Sequence, residues 1–250
     1  MSTKTDKCVI IPDVHQNIAW VERVLTQEKD FDRVVFLGDY FDTRTSAKLR
    51  TGVGATCTFL NKLRIDLADR AVFLLGNHDI QYLEAKPACD LHRTPRFLNY
   101  ACGSAYSQVA AAKIARELAP EFWEQSRLFV EINGWLLSHA GLTARLWPQE
   151  ANLAAALYTL ETEARKALAN MKRPHPLLQA GVVRGGDAPF GGITWLDWDE
   201  EFDDSLPLPQ IVGHTASDRG ARKSGRSWCL DGKQTCYGVL VGKELTVRVA

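Results

Sequence analysis

The first third of the chain alternates short apolar runs with stretches whose apolar residues recur every three or four positions. Runs at residues 8–12, 34–37 and 71–75 are rich in Val, Ile, Phe and Leu without polar alternation, the mark of strands covered on both faces. Between them, residues 18–28 and 55–67 carry helical spacing, giving strands joined by crossover helices. The Ala-rich segment 104–122 predicts a further helix. Residues 152–171 predict another, with Leu153, Leu157, Leu160 and Ala164 along one face. Strands at 128–132 and 135–138 flank Asn133-Gly134, a dipeptide suited to a tight hairpin. A strand at 210–212 follows, and 227–249 reads as two or three antiparallel strands. The expectation is an α/β core in one domain covering residues 1–250, without repeats or linkers.

The apolar strands do not end in ordinary turns. They run into Asp13-Val14-His15, Gly38-Asp39, Gly76-Asn77-His78-Asp79, Ser138-His139 and Gly213-His214-Thr215. Carboxyl ends of strands are where open α/β sheets build their sites, so these loops are expected to converge. Carboxylate and amide oxygens combined with imidazole nitrogens suit manganese, iron or zinc. Singly, Asp13, Asp39, Asp42 and Asn77 would each read as a helix cap or turn former. With His15, His139 and His214 at the other strand ends, Asp13, Asp39 and Asn77 form a set of residues able to bind metal.

Composition narrows the partners. Thirty Lys and Arg balance thirty Asp and Glu, so no global field draws the chain to DNA or an anionic membrane, and attraction to phosphate must be local. The polar N-terminus lacks the apolar run of a signal peptide, and no stretch approaches the roughly twenty apolar residues of a membrane span, so a soluble cytoplasmic protein is expected. The six cysteines form no CxxC pair and read as reduced thiols; a turn at Asp231-Gly232 would set Cys229 opposite Cys236, but no disulfide is expected there. The Pro/Gly-rich loop 173–192 is long enough to shape a site's rim. In it, Arg184 either pairs with Asp187 or reaches a phosphate. His92 and His175 read as solvated or capping, Trp195 as core, residues 198–201 as a solvated acidic face, and Arg219, Arg222, Lys223 and Arg226 as solvated surface.

The series Asp-x-His, Gly-Asp-x-x-Asp, Gly-Asn-His-Asp, His-Ala-Gly-Leu and Gly-His-Thr, running from Asp13 to Thr215, resembles the calcineurin-like metallophosphoesterases, and within them the phosphoprotein phosphatase branch. The resemblance implies a four-layer α-β-β-α sandwich and a phosphatase using two divalent metal ions. It implies that Asp13 and His15 hold the first metal, that Asp39 bridges both, and that Asn77, His139 and His214 complete the second. His78 would protonate the leaving alcohol, oriented by Asp42, while Arg44 and Arg184 would bind phosphate oxygens. The chain departs from the branch in reading Gly-Asp-Tyr-Phe-Asp-Thr-Arg, with arginine one place late, and in Gln16-Asn17 after His15. Gly-Asn-His-Asp and His-Ala-Gly-Leu stand closer to the symmetrical dinucleoside tetraphosphatases. The implied substrate is a phosphomonoester, with phosphoserine or phosphothreonine in protein leading; a dinucleoside polyphosphate or nucleotide is the alternative. A catalytically idle scaffold is a further alternative, against which the intact ligand set argues.

Overall fold

The computed structural model describes residues 6–43, 52–83, 106–171 and 173–250. In chain order the first elements are β1 (Lys7–Ile11), α1 (Ile18–Gln27), β2 (Arg33–Phe36), α2 (Val53–Leu67), β3 (Ala71–Phe73), α3 (Asn77–Ile80), α4 (Gln108–Glu117) and α5 (Pro120–Gln125). They continue with β4 (Phe129–Ile132), β5 (Trp135–Ser138), α6 (Leu153–Ala169), β6 (Gln210–Val212), β7 (Arg222–Ser224), β8 (Ser227–Cys229), β9 (Cys236–Val241) and β10 (Glu244–Val249). None of the described helices is long and apolar enough to cross a membrane.

The strands form two five-stranded sheets, ordered β10-β9-β1-β2-β3 and β4-β5-β6-β8-β7. The period-2 alternation of a strand divides the apolar residues of β1 between two layers. Val9 and Ile11 pack with Trp20, Val24, Leu60, Ile114 and Phe122 of the helices outside the first sheet. Cys8 and Ile10 turn inward and join Val35, Leu37, Leu137 and Ile211 between the sheets. On the far side, Ala156, Leu160, Ala164 and Ala167 of α6 cover Phe129 and Leu136. The result is the four-layer α-β-β-α sandwich.

Two expectations change. The helix expected over 104–122 is two helices in its described part, because Leu118 and Ala119 are extended and Pro120 opens α5 at its first position. Proline lacks an N–H and disfavours helical backbone in the residue before it, so it starts a helix where it would break one. The strands after residue 227 do not form one antiparallel set: β8 lies parallel to β6 in the second sheet, whereas β9 and β10 belong to the first. Cys229 and Cys236 therefore sit in different sheets, and both are free and buried. The Asn133-Gly134 hairpin forms as expected, with both residues at positive φ, 53° and 85°.

Candidate active site at the strand ends

In the first sheet β1, β2 and β3 are parallel, and in the second β5 and β6 are parallel. All five polar motifs follow the carboxyl ends of these strands. His15, Asp39 and His214 adopt left-handed backbone, with φ of 44°, 56° and 68°. Such positions cost about 1–3 kcal/mol each for residues other than glycine and persist where the surroundings over-determine them. Here the surroundings are hydrogen bonds that backbone N–H groups make between motifs. His15 N–H donates to Asp39 O at 2.7 Å, Gln16 N–H to Tyr40 O at 3.1 Å, and His214 N–H to Asp13 Oδ1 at 2.9 Å. Two glycines let the loops close. A Cβ on Gly38 would strike the Gly76 backbone, and one on Gly76 would strike Asp39 Oδ1.

The side chains meet in two groups that share one residue. Ligand atoms of Asp13, His15 and Asp39 lie within 4.8 Å of one another, as do those of Asp39, His139 and His214, and all five residues are buried. His139 Nδ1 donates to Leu37 O at 2.8 Å, and His15 Nδ1 donates to Asp42 O at 2.7 Å. A carbonyl only accepts, so each imidazole carries a proton on Nδ1 and turns Nε2 inward, where its lone pair would meet a cation. His15 Nε2 stands 3.6 Å from both Asp13 Oδ2 and Asp39 Oδ2. His139 Nε2 stands 3.0 Å from Asn77 Oδ1, 3.2 Å from His214 Nδ1 and 3.4 Å from Asp39 Oδ1.

These donors fit divalent cations. Asp13 is 1% exposed and its Oδ2 has no hydrogen-bond partner, an uncompensated buried oxygen that a cation would satisfy. Burial pushes the Asp13 carboxyl up, but His139 and His15 outweigh that and bring it down to about 2, so it is ionised at neutral pH.

His78 stands beside this cluster, its ring edge-on to His15 at 5.6 Å and its backbone N–H on Asp39 Oδ1 at 3.0 Å. His78 Nδ1 donates to Asp42 Oδ2 at 3.0 Å. Asp42 is fixed in turn by the Tyr82 hydroxyl at 2.8 Å and by the Gln81 amide. Burial, then the Asp42 charge, raises the Tyr82 phenol, so it stays a neutral donor.

Asp79 joins the site although no ligand or catalytic role was expected of it. Fully buried, it accepts backbone N–H bonds from Asp39 at 2.6 Å, Tyr40 at 2.7 Å and Gly76 at 2.9 Å, clamping the loop of Asp39 to the loop of Asn77. Burial and the Asp39 charge push its carboxyl well up despite those bonds, and a cation on Asp39 would offset part of that push. Its signal was the fourth position of Gly-Asn-His-Asp, an acid three residues after a glycine that opens a short helix. Gln234 was likewise missed. It accepts from Asn17 Nδ2 at 2.9 Å and donates to Val14 O at 3.3 Å, bracing the first motif from the loop before β9.

At the rim, Arg184 does not pair with Asp187. Its Nε lies 2.7 Å from Asp197 Oδ2 and its Nη2 donates to Thr215 Oγ1 at 2.7 Å, beside His214. Arg44 and His92 lie outside the described residues. His175 caps its turn, its Nδ1 accepting from Leu177 N–H at 3.3 Å. Trp195 sets its ring edge-on to His214 at 5.9 Å. Asp199, Glu200, Arg219, Lys223 and Arg226 are exposed as expected, whereas Trp198 is buried against Phe202; across the surface Arg222 pairs with Asp199 and Arg226 with Asp204.

Comparison with known proteins agrees with this geometry. No curated protein matches the chain. Among solved structures, a cold-active protein-tyrosine phosphatase of a psychrophile Shewanella sp. has a TM-score of 0.65 at 18% identity, covering 98% of this chain and 78% of that one. A protein serine/threonine phosphatase from Saccharomyces cerevisiae has a TM-score of 0.52 at 14% identity, covering 99% and 80%. A putative diadenosine tetraphosphatase has a TM-score of 0.50 at 16% identity, covering 100% and 96%. These likenesses are likenesses of fold. The calcineurin-like phosphoesterase family model matches residues 7–218, which carry all five motifs, and the chain therefore belongs to that family of phosphoric ester hydrolases.

Proposed function

We propose that this crevice hydrolyses phosphomonoesters with two divalent metal ions. The observation that carries the reading is the pair of donor groups meeting at Asp39. Asp13, His15 and Asp39 would hold one cation, and Asp39, Asn77, His139 and His214 the other. Bound there, the two cations would supply the charge that activates water and stabilises the growing charge on the phosphoryl oxygens. The mixed oxygen and nitrogen donors favour manganese, iron or zinc.

The chain's own residues do the rest. The carbonyls of Leu37 and Asp42 hold His139 and His15 with Nε2 facing the cluster. His78, its Nδ1 on Asp42, would donate a proton from Nε2 to the leaving alcohol, and Asp42, locked by Tyr82 and Gln81, orients the ring for that transfer. Arg184, beside Thr215 at the rim, would bind a phosphate oxygen by exchanging part of its contact with Asp197. Arg44 has the same proposed role.

The leading substrate is a phosphorylated side chain in protein, with dinucleoside polyphosphates or nucleotides the alternative. The test is manganese-dependent hydrolysis of p-nitrophenyl phosphate and its bis ester by chelator-stripped protein, with Asp39→Asn as control. Activity should return with metal and fall at least about a thousandfold in the control, as expected where both cations lose their shared carboxylate. No activity with any divalent metal would refute the reading in favour of a binding scaffold. Phosphoserine, phosphothreonine and phosphotyrosine peptides against diadenosine tetraphosphate would then fix the substrate class.

A further inference from the structure

We propose that an arginine-lined cavity away from the strand-end crevice is a second anion site, taking a small phosphorylated molecule that also carries hydroxyl groups. The cavity, about 690 Å³, lies where the end of α2, the starts of β2 and β3, the end of α5 and the edge strand β4 come together. That volume is in the range of small-molecule sites. Three arginines from three separate segments line it: Arg33, Arg64 and Arg127. Arg33 opens β2, whose other end leads to Asp39, so six residues of extended chain put the two sites about 20 Å apart.

The arginines are not satisfied within the protein. Arg64 Nε is buried with no hydrogen-bond partner, and Arg64 Nη2 reaches Glu121 only at 3.9 Å. Among the described residues, Arg33 and Arg127 make no ion pair, although the carboxylates of Asp69 and Glu124 line the same cavity. Cations and carboxylates that share a cavity without pairing leave room for a molecule between them. The guanidinium fork matches a phosphoryl group, with several donors converging on its oxygens. Asp69 and Glu124 accept only, so they call for donors such as hydroxyls on the same ligand.

The test is calorimetric titration of chelator-stripped protein with ribose 5-phosphate, inorganic phosphate and ribose. Saturable binding of ribose 5-phosphate is expected, weaker binding of phosphate and none of ribose. The double variant Arg64→Gln/Arg127→Gln should lose about tenfold or more in affinity, while metal-restored hydrolysis of p-nitrophenyl phosphate stays at the parent rate. Should the double variant not fold, Arg33→Gln alone must weaken binding severalfold. Absence of saturable binding to the parent protein, or undiminished binding to the folded variants, overturns the proposal. Neither outcome touches the strand-end site, whose hydrolysis is read independently.

Discussion

Gly76→Ala tests how tightly the loops are pressed together. Gly76 has φ −93°, which any residue tolerates, so the substitution acts through space alone. The added methyl would land on Asp39 Oδ1, 2.7 Å from His139 Cε1 and 2.8 Å from Asp39 N. None of these can swing away as a flexible end would. Asp39 is held through its backbone N–H by Asp79 and through Oδ1 by His78 N–H, and His139 is anchored on Leu37 O. Overpacking a rigid site costs about 1–3 kcal/mol, and the absence of a yielding neighbour places this case at about 2–3. For a chain of this length each kcal/mol moves Tm by about 2–4 °C, so a fall of about 4–12 °C is expected. The donor atoms of Asp39 serve both groups, and a displacement of about 1 Å costs about a hundredfold in rate. The assays are thermal unfolding, calorimetric titration with manganese and hydrolysis of p-nitrophenyl phosphate. Gly185→Ala is the control: its φ of +78° disfavours a side chain, but its Cβ would meet nothing within 4 Å, so only about 1 kcal/mol of stability should be lost, with metal binding intact. Manganese binding and turnover like the parent's in Gly76→Ala would show that the loops can give way to the added methyl.

His78→Gln should leave manganese affinity unchanged and slow alkyl phosphates about a hundredfold or more, with a much smaller effect on p-nitrophenyl phosphate, whose good leaving group needs no acid; equal loss on both would remove the general-acid role. Glu28 is buried, which raises its carboxyl, but bonds from Lys7, Tyr237 and Arg248 outweigh this and hold it below its ordinary 4.5. A depressed carboxyl contributes stability that is complete above 4.5 and lost as pH falls through the lower folded value. Glu28→Gln should therefore cost about 2 kcal/mol at pH 7 and flatten the acid limb of the Tm profile; an unchanged acid limb would show that another group drives it. Burial pushes the thiols of Cys8, Cys57 and Cys229 up to about 12, so Ellman's reagent at pH 8 should modify them only after unfolding, and rapid labelling of any of them in the native protein, mapped by peptide mass, would contradict the packing.

Local rules carried much of the structure. Uninterrupted apolar runs with crossover helices specify buried parallel strands, and Asn133-Gly134 supplies the left-handed pair that a tight hairpin needs. Polar residues at the ends of such strands gather on one rim because the strands are parallel, so the sequence alone leads one to expect Asp13, His15, Asp39, Asn77, His139 and His214 to meet. His78 and Asp42 also pair where the motif order implied. The break at Pro120 was visible in the sequence, but the alanine periodicity around it masked the break.

Other features depend on which distant segments the packing brings together. Residues Asp231 and Gln234 carry the chain from the second sheet back to the first, so Cys229 and Cys236 part company although a local turn would pair them. Arg184 finds Asp197 and Thr215, not its neighbour Asp187, because the loop folds against the strand-end rim. Asp79 reads as one more helix cap until the turn at Asp39 lies against it and turns its carboxylate into a clamp. The sequence by itself determined the layers, the strand ends and the residue types of the site, since periodicity and turn chemistry act over a few residues. Only the tertiary structure decided the partners of each polar group, because a hydrogen bond needs its two atoms within about 3 Å, and for residues far apart in the chain that proximity comes from packing.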